Sequence, residues 1–282
     1  MIEQHPWKGY LVVLNQDSLL IQSPYMYEET IVYGPDSDST TMAIAGLQFM
    51  KQRGHEIDFV HLPDTIDAAT VYLATSVDSM SRNDELDFDA VKWDFLDGDE
   101  ATLVLSKTGL DSYDFDTPIG SEIIDSQFHM DIQEAWIRER AESNVSQGAY
   151  VSKSMYLEGA LARLSLASQK SDEKLIWPPR QLDSSGQRIP SGTHSLTGEA
   201  TVESWTKLSA AGAPSEFSLR APILGGIQTV LVRFEQGPRG VFLVCDDVDY
   251  APHIGDKVHF TVRRIYAQEG IIRYGLKALP LP

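Results

Sequence analysis

Apolar and polar positions divide the chain into two textures. In the second half, residues 201–208 (TVESWTKL), 227–235 (IQTVLVRFE), 240–247 (GVFLVCDD), 257–267 (KVHFTVRRIYA) and 271–279 (IIRYGLKAL) are β-branched or aromatic-rich runs. Turn signals such as EQGPRG and PHIGD separate them. Five short strands with no strong helical pattern between them predict an all-β domain, a small antiparallel barrel of the OB-fold type. The first half is mixed. Residues 40–53 (TTMAIAGLQFMKQR) carry an apolar stripe of Ala43, Leu47 and Met50, with Ser39 or Asp38 placed to cap the helix and Gly54 to stop it. EIDFVHLP (56–63) and ATVYLATS (69–76) read as strands, KWDFLDGDEATLVLSKTG (92–109) as a turn feeding another strand, and DIQEAWIRERAES (131–143) as a helix. A layered α/β domain of open strand order follows.

Between the two textures, residues 155–167 (MYLEGALARLSLA) place Leu157, Leu161, Leu164, Leu166 and Ala167 at helical spacing. A polar SQKSDEK follows. Pro178, Pro179, Gly186, Pro190 and Gly192 then favour an extended linker without a regular element over residues 175–195. The expected organisation is an α/β domain over 1–154, a helix and Pro-rich linker over 155–195, and an OB-fold domain over 196–282.

With 42% apolar and 23% charged residues among 282, the chain reads as globular. Its longest apolar runs, such as Val241–Cys245, are strand-sized, so no membrane span is expected. MIEQHPWKGY lacks the basic start and apolar core of a secretory signal, and one cysteine forms no internal disulfide; a cytoplasmic location is the default. The net charge of -18 is uneven: residues 1–172 hold 11 Lys and Arg against 30 Asp and Glu, and residues 173–282 hold 12 against 11. The acidic half disfavours a phosphate backbone as partner. Asp outnumbers Lys 24 to 10, a bias shared by salt-adapted proteins and by ordinary acidic ones.

Most enzyme signatures are missing. The sequence has no G-x-x-x-x-G-K-[ST] loop, G-x-G-x-x-G turn, H-E-x-x-H helix or G-x-S-x-G elbow. The seven histidines stand singly, without metal-ligand spacing. Cys245 lies beside Asp246, Asp247 and Asp249, whose charge keeps a thiol protonated, and it reads as a small structural residue. Those acids read as a solvated turn rather than a cation loop, and Asp97, Asp99 and Glu100 as a polar turn ahead of a strand.

The residues from Trp177 onward resemble a family that pairs a rubredoxin-like zinc ribbon with an OB-fold. Its members act as non-catalytic, acyl-CoA-associated partners of thiolases, ketosynthase-like enzymes and archaeal hydroxymethylglutaryl-CoA synthase. The resemblance rests on IWPPRQL, GEATVESWTKL, ILGGIQTVLVRFEQGPRGVFLVCDDVD and IGDKVHFTVRRI, in that order. The family's two C-x-x-C pairs are replaced here. Ser168, Ser171, Asp183 and Ser185 stand near the expected ligand positions, and hydroxyls do not replace thiolates, so no zinc and no other cofactor is expected. The ribbon segment is then to be held by packing of Trp177, Pro178 and Pro179 against the partner or the barrel.

The first half is similar to part of the thiolase superfamily, especially hydroxymethylglutaryl-CoA synthase-like proteins. DSDSTTMAIAGLQFM resembles a helix entered by an acidic-Thr-Met-Ala motif, YLATS the following strand, LDGDEATLVL a Gly-Asp-Gly-Ala turn leading into a strand, and GSEIIDSQF with WIRERAES the segment after it. That resemblance implies a degenerate half, since no Cys precedes Cys245 to serve as acyl-transfer nucleophile. Together the two resemblances imply an accessory subunit rather than an enzyme, partnered by a thiolase-superfamily subunit and helping to hold acyl-CoA or another thioester. Arg180 and Arg239 are the first choices for CoA phosphates, followed by Arg233, with Arg263, Arg264, Arg273 and Lys277 as further candidates. The alternative is a single-stranded nucleic-acid-binding OB-fold using Trp205, Phe217, Phe234, Phe242, Phe260 and Tyr266, against which the overall charge argues. An enzyme acting through carboxylates has no specific support in the sequence.

Overall fold

The computed structural model describes residues 4–15, 17–80, 90–97, 101–108, 121–141, 153–171, 173–189, 192–268 and 270–281. The chain divides into two compact units, residues 1–130 and 131–282. Among the described residues no helix is long and apolar enough to cross a membrane.

The first unit runs β1 (Gln4–Trp7), β2 (Tyr10–Asn15), β3 (Ser18–Gln22), β4 (Tyr25–Tyr27), β5 (Thr30–Val32), α1 (Ser39–Gln52), β6 (Phe59–His61), α2 (Ala68–Thr75), β7 (Asp78–Ser79), β8 (Lys92–Asp97), β9 (Thr102–Lys107) and β10 (Glu122–Ile123). Seven strands form one sheet in the order β1-β2-β3-β9-β8-β6-β7. Neighbours from β1 to β8 are antiparallel, whereas β8-β6 and β6-β7 are parallel. A smaller sheet, β10-β4-β5, accompanies it.

Helix α1 starts where the sequence places it. Asp38 accepts from the Thr41 amide at 3.0 Å, and the Thr41 hydroxyl accepts from the Asp38 amide at 2.9 Å, a reciprocal cap. The helix is buried nearly all round, with Ala43, Leu47 and Met50 inaccessible, and it lies against β3 and β9. Trp7 Nε1 donates to the Ala45 carbonyl at 2.8 Å, tying the edge hairpin to the helix.

Residues 69–76 depart from the strand expected there, and with them the strand assigned to YLATS by resemblance. They form α2, capped by Asp67, whose carboxylate accepts from the Thr70 amide at 2.9 Å, and ended by Ser76 at φ +55°. The cause is topological. Strands β6 and β7 are parallel neighbours, and a parallel pair requires a crossover. The segment between them packs Val71 and Ala74 inward at helical spacing, overriding its β-branched composition.

α3 (Ser126–Ala141) begins in the first unit and ends in the second. It starts five residues ahead of the predicted 131, where Asp125 accepts from the Phe128 amide at 2.8 Å. The second unit continues with α4 (Lys153–Ser165), β11 (Ala167–Ser171), β12 (Lys174–Ile176), β13 (His194–Ser195), β14 (Glu199–Leu208), β15 (Ile227–Phe234), β16 (Arg239–Leu243), β17 (Lys257–Gln268) and β18 (Ile271–Pro280). α4 ends two residues short of prediction, because Leu166 at φ +56° turns the chain into β11. The stretch read as a polar run and irregular linker holds a three-stranded sheet, β12-β11-β13, and a bridge between Leu182 and Arg188.

The five C-terminal runs form one antiparallel sheet in the order β16-β15-β14-β17-β18. A bulge between Val202 and Ser204 in β14, and another between Arg264 and Tyr266 in β17, bend it. Its two edges meet at a parallel bridge between Val244 and Ala278. The enclosed core comprises Ala200, Val202, Val230, Val232, Phe234, Phe242, Val244, Val258, Phe260 and Ala278, joined by Leu166 and Leu196. Each fully buried Val or Phe contributes about 1.5–3 kcal/mol relative to exposure.

Candidate functional site

The linker residue Trp177 reaches the sheet. Its indole stacks on Phe242, ring centroids 5.0 Å apart and planes at 20°, and contacts Phe234 at 6.2 Å. Gly240 makes the seat: a Cβ there would stand 2.3 Å from the indole, closer than atoms approach. Pro178 is exposed and Pro179 half-buried, so the indole alone supplies the deep contact. The loop it anchors carries Arg180, whose side chain is exposed and whose amide donates to Gln169 Oε1 at 2.7 Å.

Arg233 and Arg239 are cross-strand neighbours on β15 and β16. Both grip Glu203 at the β14 bulge: Arg233 pairs with one carboxylate oxygen and Arg239 Nε with the other at 2.6 Å. Glu203 thus neutralises one of two charges, and about half of each arginine side chain remains exposed. The structure brings these two together and leaves Arg180 on its own loop.

Three further candidates for phosphate are withdrawn by burial. Arg263 Nε donates to Asp247 at 2.8 Å, Lys277 Nζ to Asp246 at 2.6 Å, and the Arg264 guanidinium lies 4.2 Å from the centre of Trp136. All three cations are at most 7% exposed. Their burial explains Asp246 and Asp247, read from sequence as a solvated turn: they are counter-ions to interior cations. Cys245 is buried beside them in the chain. A stacking surface for bases is also reduced, because Phe234, Phe242 and Phe260 belong to the core, Phe217 and Tyr266 are half-buried, and Trp205 is exposed.

Ser168 and Asp183, two of the residues that the resemblance sets near zinc-ligand positions, make hydrogen bonds. Ser168 Oγ donates to the His194 carbonyl at 2.5 Å. Asp183 Oδ1 accepts from Ser185 Oγ at 2.7 Å and from the amides of Ser185 and Gln187 at 2.8 and 2.9 Å. The Ser185 bond first, then the amides, hold the Asp183 carboxyl below the usual carboxylate range. The carboxylate thereby orders the turn at residues 183–187. The side chains of Asp97, Asp99 and Glu100 lie outside the described residues.

Sequence reasoning missed one constellation. His61, the last residue of β6, stands opposite Asp94 of the parallel β8. Nδ1 of His61 and Oδ1 of Asp94 are 2.5 Å apart, with side chains 11% and 15% exposed. A carboxylate only accepts, so Nδ1 is the donor in this pair, and in the neutral ring the other nitrogen carries the lone pair. That nitrogen, Nε2, is buried without a hydrogen-bond partner among the described residues. His61 is also among the residues lining a cavity of about 790 Å³ at the carboxyl ends of β6 and β7, beside the start of α2. Ligand crevices in α/β sheets lie at such strand ends.

Comparison with known proteins adds little. No protein-family model and no curated protein matches the chain. Among solved structures, a chain of the "Ltp2-ChsH2(DUF35) aldolase" is similar to this one at 17% identity and a TM-score of 0.33, covering 46% of this chain and 98% of that one. A likeness so slight carries no argument about chemistry.

No sequence signal would have found the histidine and aspartate pair. They are 33 positions apart and meet only because β6 and β8 are neighbours, an order that local pattern does not encode.

Proposed function

We propose that the protein is a non-catalytic accessory subunit that binds a thiolase-, ketosynthase- or hydroxymethylglutaryl-CoA synthase-like enzyme and helps hold acyl-CoA or another acyl thioester. The observation that carries this reading is the build of residues 167–280. A strand order β16-β15-β14-β17-β18, with the Val244–Ala278 bridge between its edges, supports the reading of a small OB-type barrel. Ahead of it, the small β12-β11-β13 sheet and the Asp183 turn are read as the counterpart of the resembled family's zinc ribbon, and Trp177 packs that segment against Gly240. The first unit is then a degenerate thiolase-like α/β half. Arg180, exposed beside this joint, is the leading contact for a CoA phosphate, with Arg239 and Arg233 sharing Glu203 as the weaker pair.

Purification of the full chain from its own cells tests this directly. A thiolase-superfamily subunit in stoichiometric amount is expected, and acyl-CoA should bind the complex more weakly after Arg180→Ala. A monomer that binds single-stranded DNA in a salt-sensitive way would replace this reading with the nucleic-acid one. Metal analysis is expected to find no zinc.

A further inference from the structure

We propose that the cavity at the carboxyl ends of β6, β7 and β8 is a binding site for a small polar cation, an amine whose ammonium group is met by Asp64. Every residue involved belongs to the first unit, so the site stands whether or not the chain is an accessory subunit.

The sheet order places a crevice there. Within β9-β8-β6-β7 the chain leaves β6 through α2 toward β7 and leaves β8 toward β9, in opposite directions along the sheet. Where two parallel neighbours send their connections apart, the space beyond their carboxyl ends stays open, and ligands of open α/β sheets bind in it. The cavity of about 790 Å³ has this position: residues 62–64 follow β6, Ser79 ends β7, and Phe95 and Leu96 lie near the end of β8.

Most of the lining residues are apolar in type, yet more of the accessible wall is polar than apolar. Besides Asp64 and Ser79, open backbone is available to make it so. β6 pairs with β8 only as far as His61 opposite Asp94, while β8 runs on to Asp97 against β9. Past Asp94, the β6-facing edge of β8 therefore has no strand beside it among the described residues. Such a wall favours a ligand with hydrogen-bonding groups of its own. Charge then sets the ligand's sign. Asp64 is exposed and is the one carboxylate among the lining residues, none of which is Lys or Arg. It belongs to a unit whose 130 residues hold 24 Asp and Glu against 6 Lys and Arg, a field that draws in cations and opposes a phosphate or carboxylate. A primary ammonium has three donors and no acceptor, so it serves a carboxylate and backbone carbonyls together. His61 is assigned no contact, because Asp94 holds its Nδ1 and its Nε2 is buried.

The experiment titrates the full 15N-labelled chain with 5-amino-1-pentanol, 1,5-pentanediol and 5-hydroxypentanoate, probes of one length whose second end is positive, neutral or negative. The amine should shift the amide signals of lining residues such as Leu62, Ser79 and Leu96 saturably, and bind about threefold more tightly than the diol, as a part-exposed ion pair allows. The carboxylate should give no saturable shift. In Asp64→Asn the amine and the diol should bind alike. Asp17→Asn removes an equal exposed charge at the other end of the sheet, where the Asp17 carbonyl accepts from the amide of Lys107, the partner of Trp93 in β8. That variant should keep the preference. An amine that binds no more tightly than the diol, shifts spread over the whole unit, or an equal loss in Asp17→Asn would each overturn the proposal. The comparison of the three probes on the unaltered protein decides the matter even if a variant fails to fold.

Discussion

At the scale of single residues, two side chains hold the segment between α4 and β14 in place, and each gives a testable consequence. The Trp177 indole occupies the space that a side chain at position 240 would need. Gly240→Ala should therefore displace the indole and destabilise the second unit by about 1–3 kcal/mol, the range for overpacking. Urea unfolding monitored by tryptophan fluorescence measures the loss, and an unchanged midpoint would refute the packing argument. Asp183 acts through charge. Its folded pKa lies below the ordinary value, so its contribution is present above the usual carboxylate range and is lost as pH falls through that lower value. The amide signals of Ser185 and Gln187 should titrate together as the turn opens in acid. In Asp183→Asn, which keeps an acceptor and removes the ionisation, they should remain flat.

Secondary-structure elements separate what local sequence encodes from what it does not. Helix α1 was legible because cap, stripe and stop are all local: Asp38, the buried positions 43, 47 and 50, and Gly54 at φ +86°. The strands β14 to β18 were legible because alternation is local too, as in Val230, Val232 and Phe234 inward with Arg233 outward. Helix α2 was not, because its identity follows from two strands being parallel neighbours. The small sheet of β11, β12 and β13 was hidden by its polar composition, since Ser168 and Gln169 are buried through hydrogen bonds to backbone rather than by apolarity. The pairing of His61 with Asp94 was hidden for the reason that hid α2: it needs the sheet order before it can be seen. Within α1, Gly46 has room to spare: an added Cβ would rest 3.7 Å from Leu19, Ile21 and Phe95, ordinary contact distance. Gly46→Ala should stabilise the first unit by about 0.5–1 kcal/mol through helix propensity and a less free unfolded chain. A lowered midpoint in thermal unfolding would mean that α1 sits closer to the sheet than these distances describe.

For the whole molecule, the division into units sharpens the charge asymmetry. Residues 1–130 hold 6 Lys and Arg against 24 Asp and Glu, and residues 131–282 hold 17 against 17, so the entire excess of -18 belongs to the first unit. Like charges confined to one compact body repel one another, and the repulsion eases when the chain expands, so it acts against folding of that unit alone. Added salt screens it: between about 0.05 M and about 0.5 M the Debye length shrinks from about 14 Å to about 4 Å, below the spacing of most surface charges. The second unit offers no such net field, and its buried pairs, Arg263 with Asp247 and Arg220 with Glu139, are shielded from mobile ions by burial. Salt over that range should therefore slow amide exchange in β3 and β9 while leaving β15 and β17 nearly unchanged, as read by hydrogen exchange with mass spectrometry. Equal gains in both units would point to general salting-out of apolar surface instead. Sodium chloride and a more strongly excluded salt at matched ionic strength separate the two, because screening follows ionic strength and salting-out follows the identity of the salt.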